Sequence, residues 1–206
     1  MSAFLQGLLV DLIPPTNEFH DKMYQFWNNE SRVWAMMGEN EPISRASINR
    51  IIEERSGAAE RGYTGVHFMM KAKDGAIIGS MGLNWVNTHC RFAWVGGWIG
   101  ESNYWGGGHG TDSLLLLIDY AFRWLDLNRL ILSTMGINER AQGNVENCGF
   151  KLEGRRREAT IVHGQRIDEL TYGLLRDEWR GREALVEELH LRDKAEQRYG
   201  NAAFSD

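Results

Sequence analysis

The chain has 206 residues, 43% hydrophobic and 25% charged, the balance of one domain large enough to bury a core. A net charge of −5 excludes the broad positive field that grips nucleic-acid phosphates, since even the local Arg155, Arg156 and Arg157 cluster has acids close by. Cys90 and Cys148 are too few and too far apart for a disulfide framework or a zinc site, so a reducing, cytoplasmic setting and no metal are expected.

The opening MSAFLQGLLVDLIPP lacks a basic leader and a small-residue cleavage pattern, so no signal peptide is expected, and no apolar run has the length of a membrane span. LLVDLIPPT, residues 8–16, predicts a strand stopped by two prolines, with Asn17 capping a helix over 18–29 whose Phe19, Met23, Phe26 and Trp27 recur every three or four positions. Ser44 to Arg55 predicts a second helix with Ile48, Ile51 and Ile52 inward. The loop between the two helices mixes aromatics, methionines and acids. Three strands follow in VHFMMKAKDGAIIGSMGLNWVN and CRFAWVGGWIGES, turning at Lys73-Asp74-Gly75 and at 87–89, which makes an antiparallel meander. A glycine-rich segment then opens a helix over 111–125, RLILSTMGI reads as a buried strand after a crossover, and a short helix covers 141–147. Two last strands flank a His163-Gly164 turn. The order predicts a mixed α+β fold of about seven strands rather than a doubly wound sheet. From Asp177 to Tyr199, Trp179, Leu185, Leu189 and Ala195 on a charged background predict one further helix, packed on the domain or on a second copy as a homodimer.

YWGGGHGTD, residues 104–112, is the segment that calls for chemistry. A helix start presents unpaired N–H groups and partial positive charge, and Gly106, Gly107, Gly108 and Gly110 would let the backbone close on a phosphate. A flexible turn that permits close packing explains the same glycines. No Lys precedes Thr111, so this is not the nucleoside-triphosphate loop. Thr111 and the absence of an acid at Ser133-Thr134-Met135 disfavour a dinucleotide fingerprint.

With NERAQGNVENCGFKLEGRRRE downstream, this segment resembles the acyl-CoA-binding core of the GCN5-related N-acetyltransferases (GNAT), most closely the branch typified by ribosomal-protein N-terminal alanine acetyltransferases. The family loop (Gln or Arg, two residues, Gly, one residue, Gly or Ala) becomes Trp105 to Gly110. The resemblance runs from about Leu8 to Trp179, which implies a GNAT domain over 1–179 and a helical extension over 180–206.

The resemblance implies a sheet splayed between strands 4 and 5, with acetyl-CoA as acyl donor. It implies that the cofactor is held by Trp98, Ile99 and Gly100 on the strand edge, and by Trp105, Gly106, Gly107, Gly108, His109, Gly110 and Thr111. Asn138 and the helix bearing Asn144 would flank the pantetheine arm, and Asn138 also suits an N-cap. Acyl transfer to an amine needs a neutral nucleophile, an outlet for its proton and a backbone N–H for the oxyanion, here expected near Ile99. The family's usual Tyr and Glu positions hold Val145 and Trp94. Glu158 and Asp168 on the last two strands become the candidate acid and base, against surface ion pairs with nearby arginines. Cys148 reads as core. Acceptor binding is expected from Trp27, Trp34, Glu39 and His163, with Glu30, Met36, Met37 and Glu41 nearby. A protein N-terminus, a polyamine or a small amine would suit acids beside aromatics. A non-catalytic CoA-binding module and a phosphate-binding regulator are the rival readings.

Overall fold

A computed structural model describes residues 5–28, 42–56 and 64–200. In chain order the elements are β1 (Val10–Ile13), α1 (Asn17–Trp27), α2 (Arg45–Ser56), β2 (Thr64–Ala72), β3 (Ile77–Asn87), β4 (Phe92–Ile99), α3 (His109–Asp119), β5 (Arg129–Met135), α4 (Glu139–Asn147), β6 (Lys151–Val162), β7 (Gln165–Leu175), α5 (Arg182–Glu188) and α6 (Leu191–Tyr199). The seven strands form one sheet in the order β1-β2-β3-β4-β5-β7-β6. Every neighbouring pair is antiparallel except β4 and β5.

Pro14 and Pro15 stop β1 because neither can donate a ladder hydrogen bond. The cap of α1 is Thr16, in extended conformation, rather than Asn17; no side chain bonds the helix end there. Ser44 does cap α2, its Oγ accepting from the Ser47 N–H at 3.1 Å. Met23, Trp27 and Ile48 pack with Met69 and Ile77 on one face of the sheet. The β6–β7 hairpin turns at His163 and Gly164, both at positive φ, as a tight primed turn requires.

The other face carries α3. Leu114, Leu115, Leu116, Leu117 and Ile118 are all at most 2% exposed, although consecutive helical residues point around the whole axis. Such a helix must be covered on both sides, and the tail supplies the second cover. Leu185, Val186, Leu191 and Ala195 join the same buried cluster as α3 and the sheet. The tail is therefore two helices, not the single one expected. Leu185 and Leu191, six positions apart, would stand about 120° apart on one straight helix, and both are buried. The break falls at His190, in left-handed conformation. Of the two placements expected for the tail, the apolar residues take packing on their own domain.

One carboxylate ties the layers together. Asp112, fully buried in the first turn of α3, accepts from the N–H groups of Leu9 (2.7 Å) and Val10 (3.2 Å) and from Arg182 Nη2 (3.1 Å). Chain start, central helix and tail meet on that side chain. At its far end α3 passes through a π-turn at Tyr120–Trp124 before β5.

Candidate active site

β4 and β5 pair only at Phe92–Arg129, Ala93–Leu130 and Trp94–Ile131. Beyond Trp94 they part, while β4 stays paired with β3 as far as Ile99. The result is a cleft of about 650 Å3. Peptide groups alternate along a strand. The Arg91 carbonyl faces β5, accepting from Asn128 N at 2.6 Å, and the Gly100 N–H faces β3, donating to Ile78 O at 2.8 Å. Alternation therefore turns the peptide groups of Val95, Gly97 and Ile99 into the cleft. This amends the expected strand edge: Ile99 stays, Val95 and Gly97 are added, Trp98 still lines the cleft although its peptide group bonds toward β3, and Gly100 bonds toward β3. The Trp98 ring packs edge-on against Phe26, 5.7 Å between centroids.

The far end of the cleft is the glycine segment. α3 starts at His109, two residues earlier than expected, because Gly108 at φ +90° acts as its N-cap. Gly110 and Thr111 consequently lie in the first helical turn, where backbone N–H groups lack helical acceptors. Gly106 is also at positive φ (+76°) and has open space where a Cβ would stand. Trp105 is anchored by its indole N–H to the Ile99 carbonyl at 2.9 Å. The Arg140 guanidinium lies over its ring at 4.0 Å. On the opposite wall Asn138 caps α4, its Oδ1 accepting from Ala141 N at 3.2 Å, so its amide NH2 is not used by the cap. Thr111 Oγ1 donates to Asn144 Oδ1 at 2.7 Å and joins the two helices that flank the cleft.

A floor of strand peptide groups that find no partner on β5, leading to a glycine-lined helix start, fits a long ligand with a phosphorylated end. The acetyltransferase (GNAT) domain model matches residues 10–151. The chain belongs to the GNAT acetyltransferase family. A Bacillus subtilis (strain 168) protein provisionally named ribosomal N-acetyltransferase YdaF is 35% identical over 108 residues, 52% of this chain and 58% of that one. The chain thus spans little more than half the length of that curated relative. Mycobacterium smegmatis RimJ in complex with CoA-disulfide superposes with a TM-score of 0.74 at 21% identity, over 88% of this chain and 89% of that one. Spermidine N-acetyltransferase from Vibrio cholerae, in complex with CoA and spermine, gives 0.71 at 20% identity, over 82% and 97%. At these identities the two structures establish the fold.

Several residues expected at the site lie elsewhere. His109 is 1% exposed and points away from the cleft wall into the tail, its Nε2 2.8 Å from the Tyr199 hydroxyl. Burial, and then Arg198, lower its pKa to about 4. Gly107 does not line the cleft. Neither Glu158 nor Asp168 reaches it. Asp168 accepts from the Glu158 N–H at 2.9 Å and from Arg155 Nη1 at 2.8 Å. These two partners hold its carboxyl below the usual range, so it pins a kink in β6 where Glu158 stands at positive φ. The Glu158 side chain is exposed, 3.9 Å from Arg166. His163 is exposed at the hairpin tip. Trp27 is core, 5% exposed. Trp34, Glu39, Glu30, Met36, Met37 and Glu41 lie outside the described residues. Cys148 is fully buried and burial pushes its thiol well up, which leaves it inert.

The sequence reading missed Tyr104, Glu139, Arg140 and Lys194, the titratable side chains that do line the cleft. Arg140 was legible as the neighbour of Asn138; Lys194 arrives from a helix 84 positions beyond Gly110 and left no local signal. Around the parting of the strands the walls are Asn84, Trp94, Leu132, Ser133, Thr134 and Val145. Among the described residues no carboxylate, imidazole or phenol stands there.

Proposed function

We propose that this acetyltransferase moves an acetyl group from acetyl-CoA to a primary amine by direct attack in a ternary complex. The observation that carries this is the parting of β4 from β5 after Trp94, with cleft-facing peptide groups running toward the first turn of α3. Acetyl-CoA brings the acyl group as an activated thioester. The amides of Gly106, Gly108, Gly110 and Thr111 hold the diphosphate, and the peptide groups of Gly97 and Ile99 pair with the pantetheine arm as an added strand would. A β4 N–H next to the thioester steadies the oxyanion as the amine nitrogen bonds to the carbonyl carbon. Breaking the C–S bond releases a thiolate, which takes up one proton, while the amine loses one. With Trp94 and Val145 at the splay, both protons pass through water, and the amine arrives already neutral.

A protein N-terminus or a polyamine is the acceptor class favoured by the names of the matched proteins, with other small amines as alternatives. A cytoplasmic location accords with two unpaired cysteines, and no helix among the described residues is long and apolar enough to cross a membrane. The bare splay also supports a second reading, a CoA-binding module without catalysis. Thiol release from acetyl-CoA in the presence of N-terminal peptides, polyamines and amino sugars separates the two. An amine that raises release above background establishes the enzyme; CoA binding with no such amine establishes the module, and no CoA binding removes both.

A further inference from the structure

The tail helix α6 is seated against the glycine segment. A Cβ placed on Gly108 would come within 3.2 Å of Leu191 Cδ2 and 3.3 Å of Lys194 Cδ. Tyr199 bonds His109, and the Arg198 guanidinium lies 5.0 Å from the centre of the Tyr104 ring. Lys194 lines the cleft, and no carboxylate among the described residues pairs with it. Its stem passes the N-cap of α3, and its exposed side chain lines the cleft there, so the ammonium, two bonds beyond Cδ, is within reach of the helix start. In a chain of net charge −5, an unpaired cation held next to a helix N-terminus marks where an anion belongs.

We infer that Lys194 is a ligand of the coenzyme's diphosphate, and that the tail helix, well beyond the family match at 10–151, completes the cofactor site. This rests on the reading of the cleft as a CoA site. An ammonium is a point charge that needs no fixed fork geometry, so a flexible lysine can reach a diphosphate oxygen. The tail thus has two roles: Leu191 and Ala195 bury α3, and Lys194 faces the ligand.

The alternative is that Lys194 only drapes its methylenes over Gly108. Lys194→Met keeps that stem and removes the charge. Calorimetric titration of wild type, Lys194→Met and Lys194→Arg with CoA, 3′-dephospho-CoA and pantetheine decides between them. The expected result is about tenfold weaker binding of both CoA and dephospho-CoA by Lys194→Met, unchanged pantetheine binding, and rescue to within about threefold by Lys194→Arg. The salt dependence of CoA binding should be shallower in Lys194→Met. Unaltered CoA affinity in Lys194→Met overturns the assignment while leaving the CoA reading intact. Loss of CoA affinity with dephospho-CoA unaffected moves the ammonium to the 3′-phosphate and overturns the diphosphate assignment. An equal loss for pantetheine shows a packing effect and also overturns it. Wild type that binds none of the three removes the CoA reading and this inference together.

Discussion

Replacing Asp112 by Ala should be the most damaging single change away from the cleft. Asp112 is fully buried and satisfies three donors, two of them backbone N–H groups of Leu9 and Val10, themselves fully buried. Stranding a buried donor costs about 1–3 kcal/mol, so the two amides alone cost roughly 3 kcal/mol. Arg182 has 18% of its side chain exposed and keeps Glu183 at 3.3 Å, so its loss adds only about 1 kcal/mol rather than the full value for an isolated buried charge. The sum, about 4 kcal/mol, should lower Tm by roughly 8–16 °C in a chain of this size. Urea denaturation of wild type, Asp112→Ala, Arg182→Ala and the double variant measures it, and the cycle should show Arg182→Ala costing less once Asp112 is gone. A loss under about 1 kcal/mol for Asp112→Ala would refute the reasoning. Gly7→Ala should act on the same clasp, since its Cβ would stand 2.3 Å from Asp112 Oδ2.

Burial lowers the His109 imidazole from 6.5 to about 4, so between those values the unfolded chain binds more protons than the folded one. Stability should therefore fall, by up to roughly 3 kcal/mol, as pH drops from 6.5 to 4, and His109→Gln should flatten that dependence in urea melts at pH 7, 6 and 5. A Cβ on Gly110 would meet only Asn144 Nδ2 at 3.5 Å and Ile99 Cδ1 at 3.7 Å, both ordinary contacts. Gly110→Leu should accordingly leave Tm unchanged or raised while weakening CoA at least about tenfold, because the larger side chain occupies the cleft. With no titrating side chain among the described residues at the parting of the strands, log kcat/KM should climb with unit slope toward the pKa of the acceptor amine; a plateau near neutral pH would reveal an enzyme base.

The strand and helix order was legible because each element carries its own period and punctuation: alternation in β1, prolines after it, Asn138 before α4, His163-Gly164 between β6 and β7. What escaped depended on contacts between distant positions. The four leucines after Ser113 imply a helix covered on both sides, but the sequence does not say by what. His109 looked like part of the phosphate loop, but it is buried between the Tyr104 ring and the tail's Tyr199. Asp168 carried the right charge on the right hairpin, yet its two hydrogen-bond donors are set by a kink in β6 that no local pattern announces. The expected strand edge, a continuous run from Trp98 to Gly100, became the alternating set Val95, Gly97 and Ile99 because alternation assigns whole sides of a strand, and the phase is fixed by where Arg91 and Gly100 find their partners.

The structure of the protein co-crystallised with CoA tests the central claim most directly. The diphosphate should lie within hydrogen-bonding distance of the amides between Gly106 and Thr111, and the pantetheine arm should pair with Gly97 and Ile99, its sulfur ending near Trp94 and Thr134. A diphosphate bound elsewhere, or β4 and β5 paired along their whole length, would contradict it.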